Sequence, residues 1–290
     1  MNALIFGANG QDGYYLNALC QAKGINSIGI SRSGDWIRGD VSNYEQVEQL
    51  VKEYMPTYIF HVAADSTTRH SALFENHATI STGTLNILES VYRHSHNSKV
   101  FITGSGVQFL NKGNPISENS PFEASSPYAI ARIQSVYATR YYRSLGVKAY
   151  VGYLFHHESP LRKANHVSQK VVLAVKRIIQ GSDEKLYIGN LSVEKEWTFA
   201  GDVALGIIML VEQDNIFEAV IGSGKTHMIQ EWIEICFSMF GLDWHVYVKQ
   251  AEDFQPEYKR LVSDPALMHA LQWKPIIDLQ ELAAMMINAG

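Results

Sequence analysis

The fold is decided by Ala3-Leu4-Ile5-Phe6-Gly7-Ala8-Asn9-Gly10-Gln11-Asp12-Gly13, an apolar run that ends in a glycine-rich turn. Residues 14–23 then have helix-compatible apolar spacing and stop at Gly24, and residues 25–30 form a second apolar run. A buried strand, a glycine turn, a helix and a second buried strand within about 30 residues are typical of a dinucleotide-binding βαβ unit.

The glycine turn predicts where phosphates bind. Its three glycines allow a tight turn, a close approach of the backbone to a pyrophosphate and close packing of the helix on the sheet. Free N–H groups at the helix N-terminus favour an anion. The predicted cofactor contacts in this turn are Gly7, Asn9, Gly10, Gln11, Asp12 and Gly13.

The end of the second strand indicates which nicotinamide cofactor binds. An acid there would hydrogen-bond the ribose 2′-hydroxyl of NAD, whereas an arginine suits the 2′-phosphate of NADP. This chain has Ile30-Ser31-Arg32-Ser33, with no acid before Asp35. We therefore predict NADP, bound through Arg32, with NAD as the alternative.

Composition excludes several classes of protein. The 290 residues carry a net charge of −5 with scattered basic residues, which does not match a nucleic-acid footprint. Cys20 and Cys236 lie in predicted helices and exclude a disulfide framework. No apolar run reaches membrane-spanning length, and we expect no signal peptide because the first strand begins at once. The eleven histidines are dispersed without a metal-ligand pattern, so we expect a cytoplasmic α/β protein with no metal site.

Strands and helices alternate as far as residue 155. Apolar patterns predict further strands at 58–64, 99–103 and 148–155, and helices at 43–54, 80–92 and 128–145. This alternation predicts a Rossmann-type, doubly wound parallel sheet over residues 1–155. Its crevice would bring Asp40, Val41, Ala63 and Ala64 to the cofactor. Residues 156–290, with longer loops and short strands at 185–188 and 244–248, are predicted to form mainly a smaller, interleaved substrate lobe.

Residues 222–226, Gly-Ser-Gly-Lys-Thr, resemble the end of a P-loop. The first glycine of that motif would fall at Ala219, however. We interpret the segment as a turn in which Thr226 is a helix N-cap.

Ser105, Tyr128 and Arg132 are the predicted catalytic residues. Ser105 closes a strand, and Tyr128 and Arg132 share one helix face because they are four residues apart. A cation beside a tyrosine stabilises phenolate over phenol, which suits the tyrosine to acid–base catalysis. Next to a nicotinamide, this set suits hydride transfer at a secondary alcohol or ketone.

With these residues in place, the chain resembles the extended short-chain dehydrogenases/reductases and, within them, the GDP-mannose 4,6-dehydratase family. The resemblance spans nearly the whole chain. It is most specific in residues 7–13, in Ser126-Pro127-Tyr128-Ala129 and in Leu154-Phe155-His156-His157-Glu158-Ser159-Pro160. Further matches are residues 186–191, Trp197 with Asp202, and Trp273-Lys274-Pro275.

The resemblance implies a reaction and a set of roles. Hydride leaves C4 of the sugar for NADP, an acid/base group removes the C5 proton, water leaves from C6 and the hydride returns to C6. Tyr128 would be the base at C4, Ser105 the supporting hydroxyl, and Arg132 would replace the usual lysine; Tyr128 and Arg132 would also contact the cofactor. The implied substrate contacts are Ser66, His156, Glu158, Arg162, Lys170, Lys195, Gln255 and Glu257.

Several positions depart from the family pattern. The family's Ser/Thr-Ser-Glu segment is Ser105-Gly106-Val107 here, so a valine stands where a carboxylate should take the C5 proton. Lys195 and Gln255 each replace an arginine, and His156 replaces an asparagine. The glutamates that we consider as replacements for the lost base are Glu75, Glu118, Glu123 and Glu158.

These departures leave three functions open. The family implies a 4,6-dehydratase that acts on a GDP-linked hexose. Val107 favours a 4-ketosugar reductase, dehydrogenase or epimerase, because these reactions at C4 need no C5 base. A cofactor-binding protein that has lost catalysis is the third reading. The family also implies a homodimer or homotetramer, with helices 80–92 and 128–145 as the predicted interface.

Overall fold

A computed structural model describes residues 1–251 and 253–289. The strands are β1 (Asn2–Phe6), β2 (Asn26–Ser31), β3 (Ile37–Arg38), β4 (Tyr58–His61), β5 (Lys99–Ser105), β6 (Lys148–Leu154), β7 (His157–Glu158), β8 (Leu186–Ile188), β9 (Glu194–Lys195), β10 (Thr198–Phe199), β11 (Glu218–Ile221), β12 (His227–Met228) and β13 (Val248–Gln250). The α-helices are α1 (Gln11–Ala22), α2 (Tyr44–Tyr54), α3 (Leu73–Asn76), α4 (Gly83–His94), α5 (Pro127–Ser144), α6 (Val167–Ile178), α7 (Ala200–Val211), α8 (Ile229–Ser238), α9 (Trp244–Tyr247), α10 (Ala266–Ala270) and α11 (Leu279–Asn288).

Seven strands form a central sheet in the order β11-β6-β5-β4-β1-β2-β3. Each neighbouring pair in it is parallel. The chain order reverses between β1 and β4, so a ligand crevice opens at the carboxyl ends of these two strands. The predicted Rossmann-type, doubly wound parallel sheet is confirmed.

Alternate residues of β1 pack into two different cores. Ala3 and Ile5 belong to one buried cluster, which includes residues of α1 and α7, and Leu4 and Phe6 belong to another, which includes residues of α2 and α4. A strand with apolar neighbours on both faces has to be continuously apolar, which is why β1 lacks polar alternation. Helix α7 and strand β11 lie after residue 155 but pack with the elements that precede it. The domain division after residue 155 therefore stays a prediction.

Helices α6, α8 and α11 enclose a separate buried cluster in the second half of the chain. The rings of Trp197 and Trp232 stack there with centroids 4.8 Å apart. Cys236 is buried in the same cluster and Cys20 in the first core, and both are free thiols on helices, as predicted. Within the described ranges, no helix is long and apolar enough to cross a membrane.

Two predicted elements of the first half have different bounds. Strand β4 ends at His61, so Ala63 and Ala64 lie in the loop that follows it. The predicted helix 80–92 consists of a π-helical segment, His77–Thr82, that runs directly into α4.

Two predictions in the second half are wrong. Most of the predicted strand 244–248 is helix α9, because the Asp243 carboxylate caps it by accepting a hydrogen bond from the backbone N–H of His245 (3.0 Å). Thr226 is not a helix N-cap. Its hydroxyl donates to Glu194 (2.8 Å), and α8 begins only at Ile229.

Candidate active site

The glycine turn has the close packing that its sequence predicts. Gly7 has a φ of +97°, and a Cβ on it would lie 2.6 Å from the backbone nitrogen of Ala63. A Cβ on Gly13 would lie 2.4 Å from the carbonyl oxygen of Gly7. Both positions therefore exclude a side chain. Helix α1 begins directly after the turn with Gly10 as its N-cap, so its N-terminus is a ready anion site.

A cavity of about 180 Å³ lies between the turn and the end of β2. Its lining includes the predicted cofactor residues Gly7, Asn9, Gly10, Arg32, Asp40, Val41, Ala63 and Ala64. Arg32 forms an ion pair with Glu75 (2.6 Å) at its rim. Both side chains are substantially exposed, so a bound phosphate could compete with Glu75 for the guanidinium.

A second cavity of about 450 Å³ runs from the turn to the carboxyl ends of β5 and β6, and we call it the catalytic cavity. Its lining includes Gln11, Asp12, Gly13, Ala64, Ser66, Ser105, Tyr128 and Arg132. The structure thus brings the three predicted catalytic residues to the cavity that the glycine turn also lines. Together, the glycine cradle and the two cavities fit an extended dinucleotide.

Arg132 is only 2% exposed and donates a hydrogen bond to the carbonyl oxygen of Thr103 in β5. Its guanidinium lies 5.0 Å from the centre of the Tyr128 ring, within cation–π range. Burial lowers the pKa of His61 to about 3, and the charge of Arg132 contributes to this shift, so His61 is neutral. Arg132 is therefore a buried positive charge held against the tyrosine.

Ser105 and Val107 both line the catalytic cavity. Ser105 is the last residue of β5, and its backbone N–H donates to the side chain of Gln108 (2.8 Å). Gln108 is fully buried. Val107 also lines an adjoining cavity of about 740 Å³. The position that would carry the C5 base thus faces the site, and it carries a valine.

The four glutamates predicted as replacement bases lie elsewhere. Glu75 lies in the ion pair beside the smaller cavity. Glu118 accepts a hydrogen bond from the backbone N–H of Val220 (2.6 Å). Glu158 is completely buried, and Glu123 lines the adjoining cavity but not the catalytic one.

Glu158 is the centre of a buried ion cluster. Its carboxylate lies 3.1 Å from Arg162 and 3.2 Å from Lys195 and accepts a hydrogen bond from Ser168 (2.6 Å). Burial by itself would raise the pKa of Glu158, but the two cations and the hydrogen bond lower it to about 2. The carboxylate therefore positions the two cations and is a poor base.

Five of the predicted substrate residues line the catalytic cavity: Ser66, His156, Arg162, Lys195 and Glu257. The structure does not bring the other three there. Glu158 lies beneath the cations, Lys170 is exposed on α6, and Gln255 is exposed in the loop after β13. The side chains of these three residues line neither the smaller nor the catalytic cavity. The geometry therefore does not favour a direct substrate contact for them.

His157 is a site residue that the sequence interpretation missed. Its Nε2 lies 2.9 Å from the Asp12 carboxylate, and its backbone oxygen accepts from Gln11 (3.2 Å). Burial opposes the charge on His157, but Asp12 outweighs it, so the pKa of His157 is raised above its usual value. The glycine turn is thereby joined to the second half of the chain. The only signal in the sequence was that His157 lies in the specific segment 154–160.

Lys163, also not predicted, lines both the smaller and the catalytic cavity.

The P-loop-like turn does not offer a phosphate site. The backbone N–H of Ser223 donates to the Glu196 carboxylate (2.5 Å), so an acid already occupies the place of a phosphate. Among the described residues there is no cluster of histidines, cysteines and acids that could hold a metal ion.

An open doubly wound sheet with a glycine turn at its start, and with a serine, a tyrosine and a cation at its carboxyl edge, defines an extended short-chain dehydrogenase/reductase. Enzymes of this class use a nicotinamide cofactor. A family model described as GDP-mannose 4,6 dehydratase matches residues 4–286, so the chain belongs to that family.

Individual relatives agree with this assignment. GDP-mannose 4,6 dehydratase 2 of Arabidopsis thaliana is 29% identical over 319 residues, which cover 99% of this chain and 86% of the relative. The dTDP-glucose 4,6-dehydratase of Bacillus anthracis, solved with NAD, has a TM-score of 0.85 at 18% identity and covers 98% and 96% of the two chains. RMD from Pseudomonas aeruginosa, complexed with NADPH, has a TM-score of 0.86 at 20% identity and covers 99% and 98%. The two solved structures share the fold.

Proposed function

We propose that the protein is an NADP-dependent enzyme that acts at C4 of a GDP-linked hexose and converts it to the 4-keto-6-deoxy sugar in the cytoplasm. One observation carries the proposal. A single cavity joins the glycine turn to Ser105, Tyr128 and Arg132, so a nicotinamide and a sugar can meet beside an acid–base tyrosine. The family match supports the choice of substrate.

The chain's residues divide the work at C4. A dinucleotide held at the glycine turn (residues 7–13) would supply the hydride-transfer chemistry that the reaction needs at C4 and C6. Tyr128 would remove the proton of the C4 hydroxyl, and Ser105 would hydrogen-bond the same oxygen. Arg132, whose guanidinium lies 5.0 Å from the centre of the tyrosine ring, keeps a positive charge beside the residue that moves this proton.

Cations in the catalytic cavity support a diphosphate-linked substrate. Arg162 and Lys195 line it and are held in place by Glu158 from below. We expect them to contact the diphosphate, with Ser66, His156 and Glu257 on the remaining groups.

The residues after β2 support NADP rather than NAD. Arg32 lines the smaller cavity between Ser31 and Ser33, and no acid stands at the end of β2 to accept a ribose hydroxyl. Arg32 would exchange its contact with Glu75 for the 2′-phosphate.

An exposed apolar face on α4 and α5 supports a homo-oligomer. Leu85 and Tyr92 of α4 and Ile130, Tyr137 and Tyr141 of α5 are all more than a third exposed. Residues seven or eleven apart share one helix face, so they form a stripe on each helix. Burying this stripe against a second copy would remove it from water. Tyr141→Glu should then shift the protein towards monomer in light scattering.

The test is incubation of purified protein with GDP-mannose and catalytic NADP, followed by mass spectrometry. A product lighter by one water, absent with Tyr128→Phe, supports the proposal. An unchanged substrate contradicts dehydration. A 4-ketosugar reduced by NADPH would then favour the reductase reading, for which Val107 is the specific observation. No reaction with either substrate would favour loss of catalysis.

A further inference from the structure

The pairing of β5 with β6 locates the position at which the family's C5 base is missing. In the parallel pair β5–β6, Ser105 lies opposite Leu154. Two residues beyond that pair, Val107 lies in a 3₁₀ turn (Gly106–Gln108) and His156 in the connection between β6 and β7. Both line the catalytic cavity. His156 therefore lines the same cavity as the position where the family carries its carboxylate.

Tyr258 reaches the same place from the second half of the chain. Its hydroxyl lies 3.0 Å from Nε2 of His156, and it lines both the catalytic and the adjoining cavity, as Val107 does. Val107 and Tyr258 pack against one buried cluster, which includes Phe155. Tyr258 and Val107 thus share one wall of the cavity.

The backbone holds both partners. The His156 carbonyl accepts a hydrogen bond from the N–H of Thr198 (3.3 Å). On either side of residue 260, the Lys259 carbonyl accepts a hydrogen bond from the backbone N–H of Glu194 (2.9 Å), and the Leu261 N–H donates one to the backbone carbonyl of Glu194 (3.1 Å). Tyr258 is therefore anchored by the residues that directly follow it.

His156 is placed to receive the proton of Tyr258, because its Nε2 already accepts the hydrogen bond of the tyrosine hydroxyl (3.0 Å). Burial and the nearby charge of Lys195 lower the pKa of His156 well below its usual value, although Glu158 opposes the shift. The imidazole is therefore neutral at physiological pH. With Nδ1 protonated, Nε2 accepts the hydrogen bond from the Tyr258 hydroxyl, which remains able to accept a proton through its lone pairs.

Four carboxylates line the two cavities and compete for the role. Asp12 is paired with His157 (2.9 Å), and Asp65 is exposed in the loop after β4. Glu123 lines the adjoining cavity only, and Glu257, which lines both, is exposed to water and accepts a hydrogen bond from Thr68. None of the four joins the apolar wall that Val107 shares with Tyr258.

We propose that Tyr258 is the catalytic acid/base group at C5, with His156 as its positioning and proton-accepting partner. This inference rests on the proposed function. Once C4 is a ketone, the C5 proton passes to the Tyr258 oxygen while the tyrosine proton passes to His156 Nε2. The C5–H electron pair forms the C5=C6 bond as the C6–O bond breaks, and the relay runs in reverse to protonate the departing hydroxide to water. The last proton reaches C5 from solvent through Tyr258 and His156. Tyr128 passes the C4 hydroxyl proton to solvent, so protons balance.

The experiment follows deuterium at C5 and reduced nicotinamide in single turnovers of GDP-mannose in D₂O. Tyr258→Phe should lower deuterium incorporation and water loss about a hundredfold or more, because a general acid–base group contributes roughly 10²–10⁴-fold. The transient reduced nicotinamide, which reports oxidation at C4, should persist. Tyr187→Phe, an exposed tyrosine outside the cavities, is the matched control. Wild-type exchange in Tyr258→Phe, or its loss in Glu257→Gln instead, overturns the proposal.

Two further readouts separate catalysis from structure. Val107→Glu in the Tyr258→Phe background should restore exchange, because it returns a carboxylate to the vacant position. ¹⁵N NMR of His156 should show a neutral ring between about pH 6 and 8, and a protonated ring at pH 7 overturns the proposal without any substrate. Wild-type protein that dehydrates GDP-mannose while Tyr258→Phe is unaffected refutes only this inference. Wild-type protein that neither oxidises C4 nor loses water refutes the proposed function and this inference with it.

Discussion

Replacing Gly13 by alanine should damage cofactor binding in proportion to the clash that the structure predicts. The new Cβ would lie 2.4 Å from the Gly7 carbonyl oxygen, about 1 Å short of the 3.4 Å at which ordinary contact begins. It would also lie 2.6 Å from Cα of Ala8. Both neighbours are backbone atoms, so no side chain can rotate away and the turn itself has to move.

Overpacking of this kind costs about 1–3 kcal/mol. If the cost falls on the turn geometry that binds the pyrophosphate, Gly13→Ala should bind NADP about 5- to 150-fold more weakly. Isothermal titration calorimetry gives the Kd, and thermal unfolding gives the accompanying loss of stability.

Gly24→Ala is the control, at the other end of α1. Gly24 has a φ of +69° and no heavy atom within 4 Å of its Cβ position. The alanine should lower stability by about 1 kcal/mol through backbone strain and leave the NADP Kd unchanged. A Kd for Gly13→Ala within about twofold of wild type would contradict the predicted clash, since 1 kcal/mol already corresponds to about fivefold.

Three further predictions concern charged groups. Arg32→Ala should weaken NADP binding about tenfold or more but change NAD binding little, and Glu75→Gln should tighten NADP binding, both measured as Kd; equal losses for the two cofactors would contradict the role of Arg32. Lys195→Met should lower the free energy of unfolding by about 3–5 kcal/mol, because it leaves Glu158 buried with one cation fewer, and an unchanged Tm would argue against this. Because the pKa of His157 is raised, its ion pair stabilises the fold below about pH 6.5 and loses this effect as the pH rises through the folded-state pKa. The stability difference between wild type and His157→Gln should therefore shrink with rising pH in denaturant titrations, and a growing difference would exclude this account.

Local patterns were sufficient where neighbouring residues decide the structure. The continuous apolar run of β1 and the glycines at 7 and 13 follow from burial on both faces and from steric exclusion of a Cβ, so the sheet and the turn could be predicted. Prediction was wrong at residues 244–247, where the Asp243 cap outweighed the apolar residues.

In the candidate site, too, some features follow from local spacing and others do not. Tyr128 and Arg132 are one helical turn apart, so the sequence alone paired them. Glu158 matched a family pattern and Lys195 replaced the arginine of another, but neither pattern reports that the carboxylate is completely buried and that it holds the cation instead of a ligand.

Spacing within one strand, turn or helix was enough to predict the Rossmann-type sheet, the glycine turn and the residues that we propose act at C4. Which side chains share the catalytic cavity with Val107 depends on tertiary contacts instead. Tyr258 and His156 are 102 residues apart, and their contact depends on how the second half of the chain folds back over the sheet edge. Periodicity describes which face of an element is buried, but it carries no information about which distant segment packs against that face.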